Sequence, residues 1–204
     1  MRWVVFFILI FSFSSFALSN KTWTDHSNNE EKNVSRLLET LARSTTGRNL
    51  IKRAQDKAAE SGRTLNDVIK AGHGSLTDTT LLRRFSVARP DAIVYEEKSV
   101  VYIGRDLNTH DALLDLAHEL THFAYRIEFN PYRRNFSLDQ FITSTIEGIG
   151  GEVDAYIMEC KVLGELFDQK TASRYQCREI IDPLSGHISR ELAVQKFYRA
   201  GEFY

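Results

Sequence analysis

The chain has 204 residues, 43% hydrophobic and 26% charged, with a formal net charge of −1. That length supports one good-sized core, and the balance is that of a globular protein rather than a disordered one. A nearly neutral chain carries no basic field, so no nucleic-acid partner is expected.

The first feature in chain order is an apolar run from Trp3 to Phe16, preceded by Arg2 and followed by Ala17 and Ser19. A basic residue, an apolar stretch and small residues before Asn20 have the layout of an export signal. The run is shorter than the roughly 20 residues a spanning helix needs. Residues 1–19 are therefore expected to be a cleaved signal peptide. The rest is expected to be secreted or periplasmic, with no stable membrane span. Export bears on the two cysteines, Cys160 and Cys177. In an oxidising compartment they are expected to form a disulfide, two buried thiols being the alternative. Asn20, Asn33 and Asn135 begin tripeptides of the glycosylation-acceptor type.

Residues 28–72 read as helical. Val34, Leu37, Leu38 and Leu41 have helical spacing, and Glu30 and Glu31 suit the start of a helix dipole. A second helix is expected over about Asn49 to Glu60, ending before Gly62. A third is expected to be capped by Thr64 and to end before Gly72. From Pro90 to Gly104 the chain turns β-rich, and an antiparallel hairpin is predicted over Ala92–Tyr95 and Val100–Ile103. Glu96-Glu97-Lys98-Ser99 would be its turn. Helix then returns. Thr109 is the expected cap of a helix to about Glu128, which Asn130-Pro131 ends. Ser137 is the expected cap of a long helix to about Phe167. Helical structure is expected again over Ala172 to Tyr198, interrupted near Pro183 to Gly186.

The segment 118–122 reads HELTH. Leu113, Ala117, Leu120, Ala124 and Ile127 lie on one face of its helix as a core stripe. His118 and His122 fall nearly opposite, about 40° apart and one turn apart. Two imidazoles so placed can share one metal ion, and Glu119 beside them can reach a water bound to it.

This H-E-x-x-H segment behind a hairpin resembles the zincin superfamily of zinc metallopeptidases, over about residues 90 to 167. The likeness is specific at the motif and weak elsewhere. It implies one Zn²⁺ held by His118 and His122, with Glu119 as the general base that activates water. The metzincin branch would want Gly and His where this chain has Tyr125 and Glu128, so that pattern fails. The gluzincin branch takes a Glu from a following helix.

On helical spacing Ile142, Ile146, Ile149, Val153, Tyr156, Cys160, Leu163 and Phe167 form one stripe. Glu147 falls opposite the stripe, whereas Glu152 and Glu159 flank it. Glu152 is the expected third ligand, with Glu147 and Glu159 as alternatives. Gly148, Gly150 and Gly151 either let two helices approach closely or break the helix, and a break removes the force of the comparison between Glu147 and Glu152. Glu152-Val-Asp-Ala155 also resembles the third-ligand helix of some small gluzincin-like peptidases. The Asp that a thermolysin-like pattern has four residues after its ligand Glu is Tyr156 here. Asp154 and Asp115 are candidates to orient the histidines. Tyr125, Tyr156 and His187 are candidates to stabilise a developing oxyanion.

The expected fold is α+β and mostly helical. A helical segment at 20–88 adjoins a zincin-like core at 89–204, in which the hairpin packs on the HELTH helix and on the following glutamate-bearing helix. The expected activity is zinc-dependent hydrolysis of peptide or protein substrates. The alternatives are an inactive binding or inhibitory protein on the same scaffold and a zinc amidase acting on cell-wall peptides.

Overall fold

A computed structural model describes residues 21–127, 137–167 and 176–199. The expected signal peptide, the acceptors at Asn20 and Asn135, Glu128 and the Asn130-Pro131 break lie outside these residues. The architecture is α+β and predominantly helical, with one small mixed sheet. No helix among the described residues is long and apolar enough to cross a membrane.

Two N-terminal helices match the sequence pattern. Helix α1 (Glu30–Leu41) is capped by the Asn29 side chain, which accepts from Lys32 N, and it buries Val34, Leu37 and Leu41. Helix α2 (Thr45–Glu60) starts earlier than expected because Ser44 caps it, accepting from Gly47 N. Gly62, at φ +67°, follows its end. The third expected helix is cut short. Only α3 (Leu65–Val68) is helical, and Ile69–Gly72 is strand β1. Pairing of Ile69 with Val101 and of Ala71 with Ile103 supplies a β-ladder, and that tertiary partner overrides local spacing.

The hairpin is larger than expected and turns elsewhere. Strand β2 (Leu76–Ser86) runs antiparallel to β3 (Arg89–Gly104), with Val87 and Ala88 at the turn. Glu96-Glu97-Lys98-Ser99 is not a turn but the middle of β3, facing Leu82, Leu81, Thr80 and Thr79. Polar residues suit that position because much of the hairpin is exposed, and Glu96 pairs there with Arg84 at 2.7 Å. Strand order is β1-β3-β2, with β1 parallel to β3, so β2 is an edge. The sheet therefore takes strands from both the 20–88 and the 89–204 segments.

Helix α4 (Thr109–Tyr125) carries HELTH. Asn108, not Thr109, is its cap: the Asn108 side-chain oxygen, one residue earlier, accepts from both His110 N and Asp111 N. The helix is buried almost all round, packed by α1, α2, β2, β3 and α6 (Glu152–Leu166). Leu114, Leu116 and Phe123 are thus core residues as much as the stripe read from sequence. Ile127 lies beyond the helix and is exposed.

The long helix expected after Ser137 is two helices. Helix α5 (Leu138–Ile146) is capped by Ser137, and α6 begins afresh at Glu152. The break is the glycine cluster: Gly150 has φ +70°, a conformation that side-chain-bearing residues rarely adopt. It leaves Ile142 and Ile149 exposed, outside the single stripe that one continuous helix would have made. The C-terminal region is a short 3-10 turn at Gln176–Ile180 and helix α7 (Arg190–Arg199). Cys160 on α6 is disulfide-bonded to Cys177 on that turn, with Cα atoms 5.5 Å apart.

Candidate metal centre

The two histidines of α4 stand one turn apart, with ring centroids 4.9 Å apart and planes at 81°. His118, Glu119 and His122 place ligand atoms within 4.8 Å of one another, and the group could hold a metal ion. Glu119 and His122 are buried polar residues, only 8% and 5% exposed. Burying such groups is costly unless each is satisfied, and both are.

His122 Nδ1 lies 2.8 Å from the carbonyl oxygen of Gly150. A carbonyl can only accept, so Nδ1 donates to it, and Nε2 is the nitrogen turned toward Glu152. His118 Nδ1 lies 3.3 Å from Glu159 Oε2, which likewise directs a proton to that side of the ring. Both Nε2 atoms then face one carboxylate oxygen. Glu152 Oε2 is 3.3 Å from His118 Nε2 and 3.4 Å from His122 Nε2. One oxygen of Glu152 is thus shared between the two rings.

The break before α6 explains how Glu152 gets there. The loop 147–151 brings Gly150 against the end of α4, and Glu152 opens the next helix beside it. A Cβ on Gly150 would lie 2.3 Å from Arg126 N, so only glycine allows this approach. Asp154 anchors the loop: its Oδ2 accepts from Gly150 N at 2.9 Å, and its other oxygen pairs with Arg190. Arg190 also donates to the carbonyl of Glu147.

The electrostatics follow from this crowding of carboxylates. Burial works against a charge on His118, but bonds to Glu152 and Glu159 prevail and push its pKa up to about 10. Burial likewise disfavours the Glu152 carboxylate, yet the two imidazoles hold its pKa well below the usual range. Asp115 behaves oppositely, with burial pushing it up.

The other sequence candidates divide. Glu159 is at the back of the His118 ring. Glu147 caps α5 and accepts from Tyr198 Oη at 2.6 Å. Asp115 interacts with Ser75, Glu159 and His118. Tyr156 packs on Phe197 and Lys196, and His187 lies in the loop before α7, where its carbonyl accepts from Asp182 N. Tyr125 is the last residue of α4.

Three contributors were not read from sequence. Thr77 Oγ1 lies 2.8 Å from Glu119 Oε2 and 2.9 Å from Glu119 O, and its strand follows no simple local pattern. Arg126 Nη2 donates to Glu152 Oε1 at 3.0 Å. Its spacing of four from His122 was a usable signal. Arg190 comes from a distant helix and gave none. Beside His122 and Arg126 a cavity of about 420 Å³ runs between α4 and the hairpin, lined also by Thr77, Thr79, Ser99 and Phe123.

Comparison with protein-family models, with curated proteins and with solved structures returns no match.

Proposed function

We propose that this chain is a zinc-dependent metallopeptidase of zincin-like fold, acting outside the cytoplasm. The observation that carries the reading is Glu152 Oε2 at 3.3 and 3.4 Å from the Nε2 atoms of His118 and His122, with Glu119 grouped with the two histidines. His118, His122 and Glu152 would hold the ion. Three protein ligands leave a fourth position open, as in catalytic rather than structural zinc sites. Zinc bound there supplies Lewis acidity, polarising a peptide carbonyl and lowering the pKa of water.

The chain's own groups do the rest. Thr77 engages Glu119 Oε2, leaving Oε1 to take the proton from attacking water. Glu119 then returns that proton to the departing amine nitrogen. The exposed edge of β2 offers unpaired backbone groups to an extended substrate, which adds as a further strand. The cavity beside His122 receives a side chain of that substrate.

The test is to express residues 20–204 and measure zinc per chain by elemental analysis, with His122→Ala and Glu152→Ala alongside. One zinc in the parent and none in either variant is expected, followed by peptide hydrolysis that Glu119→Gln abolishes. A folded parent that takes up no zinc when supplied with it sinks the reading.

A further inference from the structure

We propose that Arg126 is a positioning residue of this centre: its guanidinium holds the second oxygen of Glu152, so the carboxylate offers a single ligand oxygen and one coordination position stays open. The inference rests on His118, His122 and Glu152 being the ligands.

A carboxylate has two chemically equivalent oxygens. With both on a small cation, the second would fill the place that water or substrate needs. In this chain the two are distinguished. Oε2 faces both imidazole Nε2 atoms, and Oε1 accepts from Arg126 Nη2 at 3.0 Å. A charge-assisted bond of this kind is stronger than one between neutral groups, and the planar guanidinium fixes its direction.

Arg126 is itself held in place. Its backbone N–H donates to His122 O at 3.0 Å, closing α4, and Gly150 packs directly on that nitrogen. Nη2 also lies 3.0 Å from His122 Nδ1. The proton of Nδ1 already goes to Gly150 O, so two donors meet there, and the bond that orients the guanidinium is the one to Glu152. Arg126 Nε is buried without a hydrogen-bond partner among the described residues. An arginine kept only for packing or solubility would not leave a buried donor unsatisfied, because that is destabilising. Charge points the same way. Glu119, Glu152 and Glu159 bring three carboxylates around the two histidines, more than a dication neutralises. Arg126 supplies a further cation at Glu152, across the His118 ring from Glu159.

The experiment compares parent, Arg126→Gln and Arg126→Lys, each as residues 20–204. Three quantities are read: zinc affinity by competition with a chromophoric chelator, visible absorption of the cobalt(II)-loaded protein, and thermal unfolding of the metal-free chain. Arg126→Gln should bind zinc about 10–100-fold more weakly. Its cobalt bands should lose intensity as the freed oxygen raises the coordination number, a change that general loosening of the fold would not produce. Arg126→Lys, which keeps the charge but not the fork, should recover part of the affinity. An Arg126→Gln variant with the parent's affinity and spectrum overturns the proposal. If that variant does not fold, an Arg126→Lys variant equal to the parent in both overturns it. A parent that binds neither zinc nor cobalt overturns the ligand set, and this inference with it, which separates the two failures.

Discussion

Glu159 Oε2 lies 3.3 Å from Nδ1 of His118, while Glu152 Oε2 lies 3.3 Å from Nε2 of the same ring. One imidazole is thus gripped from both ends by carboxylates of a single helix, two turns apart on α6. Glu159 holds the Nδ1 end of the ring and Glu152 faces the Nε2 end. Glu159→Gln should weaken zinc binding by about 10–100-fold without removing the site, whereas Glu152→Ala should abolish it. Chelator competition distinguishes the two. Equal losses would place Glu159 among the ligands.

Thr77 reaches Glu119 from the edge strand. Thr77→Val keeps the shape and removes the hydroxyl. A hydrogen bond to a charged group contributes about 1.5–3 kcal/mol, so kcat should fall roughly 10–100-fold. Zinc content should stay at the parent value, and KM should change little. Steady-state kinetics on a quenched peptide checks this; an unchanged kcat would leave Thr77 with only a packing role.

Gly150 has φ +70° and no room for a methyl group against Arg126 N. Gly150→Ala should destabilise the chain by about 2 kcal/mol or more, since both backbone strain and a clash with main-chain atoms oppose it. It should also lose zinc, because the carbonyl that orients His122 moves. Urea unfolding and metal analysis on one preparation test both claims.

Glu165, on α6, binds the first turn of α2: Thr46 N and Thr46 Oγ1 donate to its two oxygens at 2.9 and 2.5 Å. What burial there is opposes ionisation, but these bonds prevail and hold its pKa below the usual carboxylate value. A lowered folded pKa means that its stabilisation is present above the unfolded value, about 4.5, and is lost as pH falls through the folded one. Both side chains face solvent, so screening limits the effect to about 0.5 kcal/mol. Glu165→Gln should remove that part of the acid-side slope in denaturation midpoints measured from pH 6 to 3. A slope identical to the parent's would exclude the contact.

Local patterns carried much of this architecture. Helices α1 and α2, the helical run around HELTH and the cap at Ser137 follow from spacing or chemistry along a few neighbouring residues, whereas the Cys160–Cys177 bridge was expected from the export signal and the cysteine count. What spacing did not reveal depends on partners far away in the chain. Ile69–Gly72 is a strand because Val101 to Gly104 lie beside it, and Glu96 to Ser99 stay extended because β2 pairs with them. At the centre, the histidines and Glu119 were legible because one helix holds all three. Glu152 stands beside them although α6 begins there, so the continuous-helix angle used to favour it does not apply. The glycines that invalidated that angle are the same ones that bring the residue close. Arg126 and Thr77 went unread, the first because a helix-terminal arginine is ordinarily solvated, the second because nothing local ties 77 to 119.

The bridge from Cys160 to Cys177 spans a sequence separation of 17. It lies one residue from Glu159, so the helix that grips His118 is chemically stitched to the C-terminal turn. Any single proteolytic cut between these cysteines would therefore leave both pieces on one molecule, migrating as an intact chain until reductant is added. A preparation judged whole on a non-reducing gel alone would conceal such a nick. For this protein, paired gels with and without dithiothreitol are a necessary control before any loss of zinc or activity is ascribed to a substitution.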